Sequence, residues 1–269
     1  MLVSTGRASG EGTLILAAGD APLVTDPRVG VIGWSWPEWR GQAYSAKAKP
    51  TDFLRHYAEQ FPTVEVASSF YRAPDAATVE AWDAQTPKGF VMSMKVPEGV
   101  ARRPAEAKEP LASFVEAIAP LRKSKKLGAL VIQFPRTFKR EKREADLHAL
   151  LKTLPKGPRW AIELRHDSWW HADTYRALED AKATLVWSSL DGRTPPVVTS
   201  DALYLRLFGD KKLTPPWSKK RRDRTKEMAY WAERIRDEGA GAKQVDVLLS
   251  KFLEGYAPAS VETMRRLLA

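Results

Sequence analysis

The sequence predicts an α/β protein with a (β/α)8 TIM-barrel fold, and three observations predict it. Short β-rich runs recur eight times between residues 28 and 249. Nearly every run is followed by a segment of 3.6-residue periodicity. The rival, a doubly wound sheet, carries a glycine-rich phosphate loop after its first strand, and here that loop is missing. Gly10-Glu11-Gly12 has Ile15 where the third glycine would stand, and Gly33-Trp34-Ser35-Trp36-Pro37 ends in proline where a nucleophile elbow needs glycine. No Walker loop, His-Glu-x-x-His motif or solenoid-length repeat is present.

The elements follow in order. Residues 1–27, rich in Gly, Ala and Asp and without periodicity, read as a loosely ordered extension; the barrel domain is 28–269. The first strand is 28–33. A helix over 51–61 starts behind Lys49-Pro50, and a strand over 63–68 follows it. A helix over 75–85 is bracketed by Pro74 and Pro87. The third strand is 90–96 and its helix 110–122. The fourth strand, 129–134, is stopped by Pro135, and a helix covers 142–153. The remaining strands are 159–165, 184–188, 202–208 and 244–249, with helices at 172–181, 226–238 and 259–268.

Composition excludes several function classes. The chain has 269 residues, 43% of them hydrophobic, which is ample for a folded core. With no cysteine, disulfides, thiolate nucleophiles and iron–sulfur clusters are out. No apolar run is long enough to span a bilayer, so no membrane partner is expected. Glu11 and the short apolar stretch 13–18 make a poor signal peptide, and a cytoplasmic location is the expectation. The formal charge of +10 is concentrated. Residues 211–226 carry +7 and residues 136–143 carry +4, leaving the rest of the chain at −1. Both segments follow strands and therefore belong at the catalytic end of the barrel, as do Arg40, Arg72, Arg102 and Arg103. The mouth should be positive and draw anions.

Strand side chains alternate, so each strand's polar face can be read off. Glu65, Lys95, Gln133, Glu163, Arg165 and Arg206 all lie opposite the apolar face, mostly late in their strands. Charges in a barrel interior are costly unless paired, and side chains of both signs here point to a networked site near the mouth.

The stretch Thr63-Val64-Glu65-Val66-Ala67-Ser68-Ser69-Phe70-Tyr71-Arg72, with Trp82, Thr86-Pro87, Phe90 and Lys95-Val96-Pro97, resembles the YecE-like family (domain of unknown function 72) of TIM barrels. So do Gly33-Trp34-Ser35-Trp36, Gln133-Phe134-Pro135, Glu163-Leu164-Arg165-His166 and Tyr204-Leu205-Arg206-Leu207. The resemblance spans 28–258. It implies a barrel of unassigned activity, sometimes likened to sugar isomerases, with polar positions at Glu65, Lys95, Gln133, Glu163, Arg165, His166 and Arg206. The chain departs from the family pattern at Val31-Ile32, Ala67, Phe208, Ser250-Lys251 and the basic loop 211–226.

Two functions are expected to compete. The first is an enzyme, an isomerase or a hydrolase, on a small phosphorylated, sugar-like anion. Glu65, Glu163, Lys95 and His166 are its catalytic candidates, and Arg165, Arg206, Gln133, Tyr71 and Trp36 its substrate-binding candidates. Lys95 could in principle form a Schiff base, as barrel lysines sometimes do, although nothing in the sequence shows it desolvated. The two glutamates with His166 could hold a divalent cation, but the neighbouring arginines and lysine argue against one; no cofactor is expected. The alternative is a nucleic-acid binder using loops 136–143 and 211–226, with Trp217 stacking on a base.

Overall fold

The computed structural model describes residues 27–269. Eight parallel strands close in sequence order into a barrel: β1 Arg28–Ile32, β2 Thr63–Val66, β3 Val91–Lys95, β4 Leu127–Gln133, β5 Arg159–Glu163, β6 Thr184–Ser188, β7 Ala202–Leu207 and β8 Gln244–Leu249. The helices are α1 Phe53–Ala58, α2 Ala76–Gln85, α3 Glu98–Arg102, α4 Lys108–Ala117, α5 Ala119–Lys123, α6 Arg140–Thr153, α7 Ala172–Asp180, α8 Thr225–Glu238 and α9 Ala257–Leu268. The extension read at 1–27 lies, but for Pro27, outside the described residues. None of the described helices is long and apolar enough to cross a membrane.

Several boundaries differ from expectation for local reasons. The second strand stops at Val66 because Ala67 turns into a helical conformation (φ −84°, ψ −21°) and opens a 3₁₀ turn over Ser68–Phe70. The helix expected over 110–122 is two helices. Pro120 has no N–H for the ladder, its ring crowds the preceding turn, and the chain breaks at Ile118. The short α3 went unread because five residues containing Gly99 carry no periodic signal.

Alternation divides the barrel as expected. Outward residues such as Val64, Met92, Met94, Ile132, Ile162 and Leu205 join the main core under the helices. The inward middle layer is apolar: Ala129, Val131, Ala161, Val186 and Leu248, around the ring of Tyr204. Below it, Asp246 closes the floor through Arg28 at 2.7 and 2.9 Å and Arg159 at 3.4 Å. Above it, β2 to β7 each contribute their last inward residue to a polar layer: Glu65, Lys95, Gln133, Glu163, Ser188 and Arg206. Register sets Gln133 beside Glu163 and Ser188 beside Arg206.

Candidate functional site at the barrel mouth

The polar layer is a connected network. Arg206 donates to both oxygens of Glu65, at 2.8 and 2.7 Å, and its other terminal nitrogen donates to Glu163. Tyr204 adds a hydroxyl to Glu65 at 3.1 Å, and Ser188 one to Glu163 at 3.0 Å. Gln133 donates to Glu163 at 2.7 Å and accepts from Lys95 Nζ at 2.8 Å. Glu65 and Glu163 are each 0% exposed. Burial works against the Arg206 cation, but Glu163 and Glu65 together raise its pKa above the ordinary value. Such a buried triad is held by geometry and full hydrogen bonding, since desolvation consumes much of the Coulomb gain.

Above this layer opens a cavity of about 580 Å³. Five cations line it: Lys95, Arg165, Arg206, Lys211 and Lys251. Among the described residues no carboxylate lines it. The aromatic side chains of Trp34, Trp36, Tyr71, Phe208 and Phe252 share the wall. Lys251 Nζ rests 3.7 Å above the Trp36 ring and 4.6 Å from Trp217. The Arg206 guanidinium lies 4.8 Å from the Phe208 ring. Desolvation lowers the Lys251 pKa. Burial, and then Arg206, lower that of Lys95 to about 8. A second hollow of about 670 Å³, beside Phe134 and Phe138, shares Tyr71, Lys95, Gln133 and Arg165 with the first.

Backbone shape lets the mouth close in this way. Gly33 ends the first strand at φ +84°, a conformation few side chains adopt, and turns the chain so that Trp36 faces the cavity. Gly209, after β7, presses against the loop after β8. A Cβ there would lie 2.0 Å from the Phe252 carbonyl oxygen, so only glycine fits. Those two loops bring Lys211 and Lys251 to one rim.

The structure brings eight of the nine candidates to the cavity or its floor: Glu65, Lys95, Gln133, Glu163, Arg165, Arg206, Trp36 and Tyr71. Glu65 and Glu163 lie beneath the wall, both bound by Arg206. Tyr71 lines the edge but is 86% exposed. Arg165 sits on the rim, bound to Asp191 through Nε at 2.7 Å and through a terminal nitrogen. His166 does not reach the cavity. Its Nδ1 accepts from the Ser168 amide at 3.2 Å and caps a 3₁₀ turn over Asp167–Trp169. Two glutamates and a histidine therefore do not converge, and no cluster of three or more His, Asp or Glu suited to a metal ion occurs among the described residues.

The loop cations behave differently from expectation. In 211–226 only Lys211 lines the cavity. Lys220 pairs at 2.8 Å with Glu254, which is fully buried and also accepts from the Arg224 amide and Ser260. Arg221 donates to the Thr214 carbonyl, and Arg224 faces Glu227 at 3.6 Å. Trp217 is 4% exposed and edge-on to Phe252, closed to a stacking base. In 136–143, Arg140 and Arg143 pair with Glu144 and Asp146 on their own helix. Lys251, which lines the cavity, was missed as a binding residue. Its signal was position, two residues past the last strand, and not residue type. Ile32, Ala67, Phe208 and Ser250-Lys251, read from the sequence as departures from the pattern it resembles, all lie on this wall.

The model of "Protein of unknown function DUF72" matches residues 28–269. The chain is 28% identical over 153 residues to the UPF0759 protein YunF of Bacillus subtilis (strain 168), covering 55% of this chain and 53% of that protein. It is 26% identical over 140 residues to the UPF0759 protein YecE of Escherichia coli (strain K12), covering 51% and 48%. The match spans about half the length of these two relatives. A crystal structure of a DUF72 family protein from Thermotoga maritima MSB8 superposes with a TM-score of 0.75 at 25% identity, covering 90% of this chain and 98% of that one. One from Enterococcus faecalis V583 gives 0.74 at 25% identity, covering 90% and 95%.

Proposed function

The chain belongs to the DUF72 family of proteins of unknown function, and from its barrel mouth we propose that it is an enzyme acting on a small anionic, sugar-phosphate-like substrate. One observation carries this reading: a cavity of about 580 Å³ walled by five cations and, among the described residues, no carboxylate. Low-dielectric walls of one sign concentrate an oppositely charged ligand and raise its on-rate. By analogy with other barrels of this fold, where phosphate is commonly held after β7 and β8, Lys211 and Lys251 stand at the same end. Arg206 and Arg165 add two planar donors suited to phosphate or carboxylate oxygens. The indole and phenyl faces, with Ser35, Ser68 and Ser250 nearby, suit a hydroxylated carbon skeleton.

Glu65 and Glu163 enter this reading as positioning residues. Both are sealed beneath Arg206, Glu65 bound by it through both oxygens and Glu163 through one, with Gln133 and Ser188 on Glu163, so they fix its guanidinium instead of exchanging protons with a ligand. A panel of sugar phosphates and inorganic phosphate, screened by thermal shift at low and high salt, tests the proposal. Stabilisation by a monomeric phosphate ester that persists at high salt supports it. Stabilisation only by oligonucleotides, rising with their length and lost steeply with salt, contradicts it and favours a nucleic-acid binder.

A further inference from the structure

Two lysines are buried to the same degree in this barrel, and they are treated differently. Lys126, 8% exposed, is surrounded by oxygen. Its Nζ donates to the carbonyls of Asp83 and Thr86 at 2.6 and 2.7 Å and faces the Asp83 carboxylate at 3.0 Å. That is a structural ammonium with its charge compensated. Lys95, also 8% exposed, makes one hydrogen bond among the described residues, to the neutral amide of Gln133. The Phe70 ring lies 3.5 Å from its Nζ, and it forms no salt bridge among the described residues. Lys95 is also shared by both hollows of the mouth, at the point where they meet.

We propose that Lys95 is a carbonyl-reactive amine, and that the ligand of the mouth carries an aldehyde or ketone that condenses with Lys95 Nζ as a Schiff base. This inference rests on the anion-binding reading, because the anionic group is what would hold the carbonyl over the lysine. The charged groups around Lys95 are Arg206 and Arg165, which disfavour its ammonium, and the Arg206-bound Glu65 and Glu163, which favour it. Burial tips the balance towards the amine. With a pKa of about 8, about a tenth of the lysine is neutral at pH 7.

The chemistry balances without a redox partner. The neutral amine attacks the carbonyl carbon and forms a C–N bond. The carbonyl oxygen takes up the proton shed by nitrogen, giving a carbinolamine. A solvent proton then lets that oxygen leave as water, and the C=N bond forms as a cationic iminium. Such a cation withdraws electrons from the neighbouring carbon, which is how barrel lysines promote proton removal or carbon–carbon cleavage.

The test uses the full chain with glyceraldehyde 3-phosphate as an aliphatic probe and pyridoxal 5′-phosphate as an aromatic one. Each is followed by borohydride, which adds hydride to the iminium carbon and fixes the adduct as a secondary amine. Peptide mass mapping locates the adduct. Inorganic phosphate binding is measured separately by calorimetry. The expected result is a dominant adduct at Lys95, reduced at least tenfold by excess inorganic phosphate and lost in Lys95→Arg, which keeps the charge. Mapping the unaltered protein removes any dependence on the variant folding. Adducts at Lys211 or Lys251 with Lys95 unmodified, while phosphate still binds, overturn the carbonyl inference alone. If phosphate fails to bind, the anion-binding reading and this inference fall together.

Discussion

Arg206 holds Glu65 by both carboxylate oxygens, at 2.8 and 2.7 Å, across the barrel beneath its mouth, from β7 to β2. The pair is buried on both sides, and the same arginine also donates to Glu163. Cutting the arginine away leaves two buried carboxylates without their shared cation. Arg206→Met is therefore expected to cost about 3–5 kcal/mol, read as a drop in the urea midpoint. Removing charge on both sides, Arg206→Met with Glu65→Gln and Glu163→Gln, should recover more than half of that loss. No recovery would mean that packing, and not charge compensation, sets the cost.

Lys95 makes stability depend on pH in a defined direction. Its folded pKa, about 8, lies below the ordinary value of 10.5. Below pH 8 both folded and unfolded chains carry the ammonium, and the cost of burying it is fully present. Between about 8 and 10.5 the folded chain has lost a proton that the unfolded chain keeps. Stability contributed through this residue therefore rises with pH in that window. Comparing urea midpoints at pH 7 and 10, the wild type should gain relative to Lys95→Met. A parallel pH response in both proteins would contradict the shift.

Asp191 partly neutralises the rim by binding Arg165, and it lies 3.7 Å from Arg136. Its backbone has φ +61°, which asparagine tolerates well. Asp191→Asn should keep the loop and free the arginine. Affinity for inorganic phosphate should then rise a few-fold at low salt, as expected for one charge interaction of about 1 kcal/mol. Weaker binding in the variant would mean that Asp191 organises the rim instead of screening it.

Glu254 ties the basic loop to the barrel by accepting from Lys220, the Arg224 amide and Ser260 at 2.8 Å each. The Lys220 pKa is raised chiefly by this hydrogen bond. Glu254→Ala should leave a buried amide and hydroxyl unpaired, cost about 1–3 kcal/mol, and expose loop 211–226 to proteases. An unchanged midpoint and cleavage rate would show the loop to be held elsewhere.

The barrel was legible because its strands are short, β-rich and punctuated. β6 and β8 lie at the expected positions, 184–188 and 244–249. Ends governed by a single backbone choice were not legible: Ala67 leaves the strand conformation, and Ile118 breaks a helix in front of Pro120. Alternation placed Glu65, Lys95, Gln133, Glu163 and Arg206 on the inward face because side chains alternate along each strand. It could not show that Arg206 would cover the two glutamates, which depends on depth along the strands. Charge density misled about the loops. Lys220, Arg221 and Arg224 spend their charge on Glu254, Thr214 and Glu227, partners distant or ambiguous in sequence. Lys251 stood alone in sequence and reaches the cavity only because Gly209 lets two loops touch.

The central claim is that the cations lining the mouth form one anion site. Calorimetric titration of inorganic phosphate into the wild type, a Lys211→Ala/Lys251→Ala variant and a Lys219→Ala/Arg222→Ala variant tests it most directly. One site per chain should appear in the wild type, weaken at least tenfold in the first variant and change less than about threefold in the second. Loss of binding in the second variant with an intact first would place the anion on the outer loop and contradict the account.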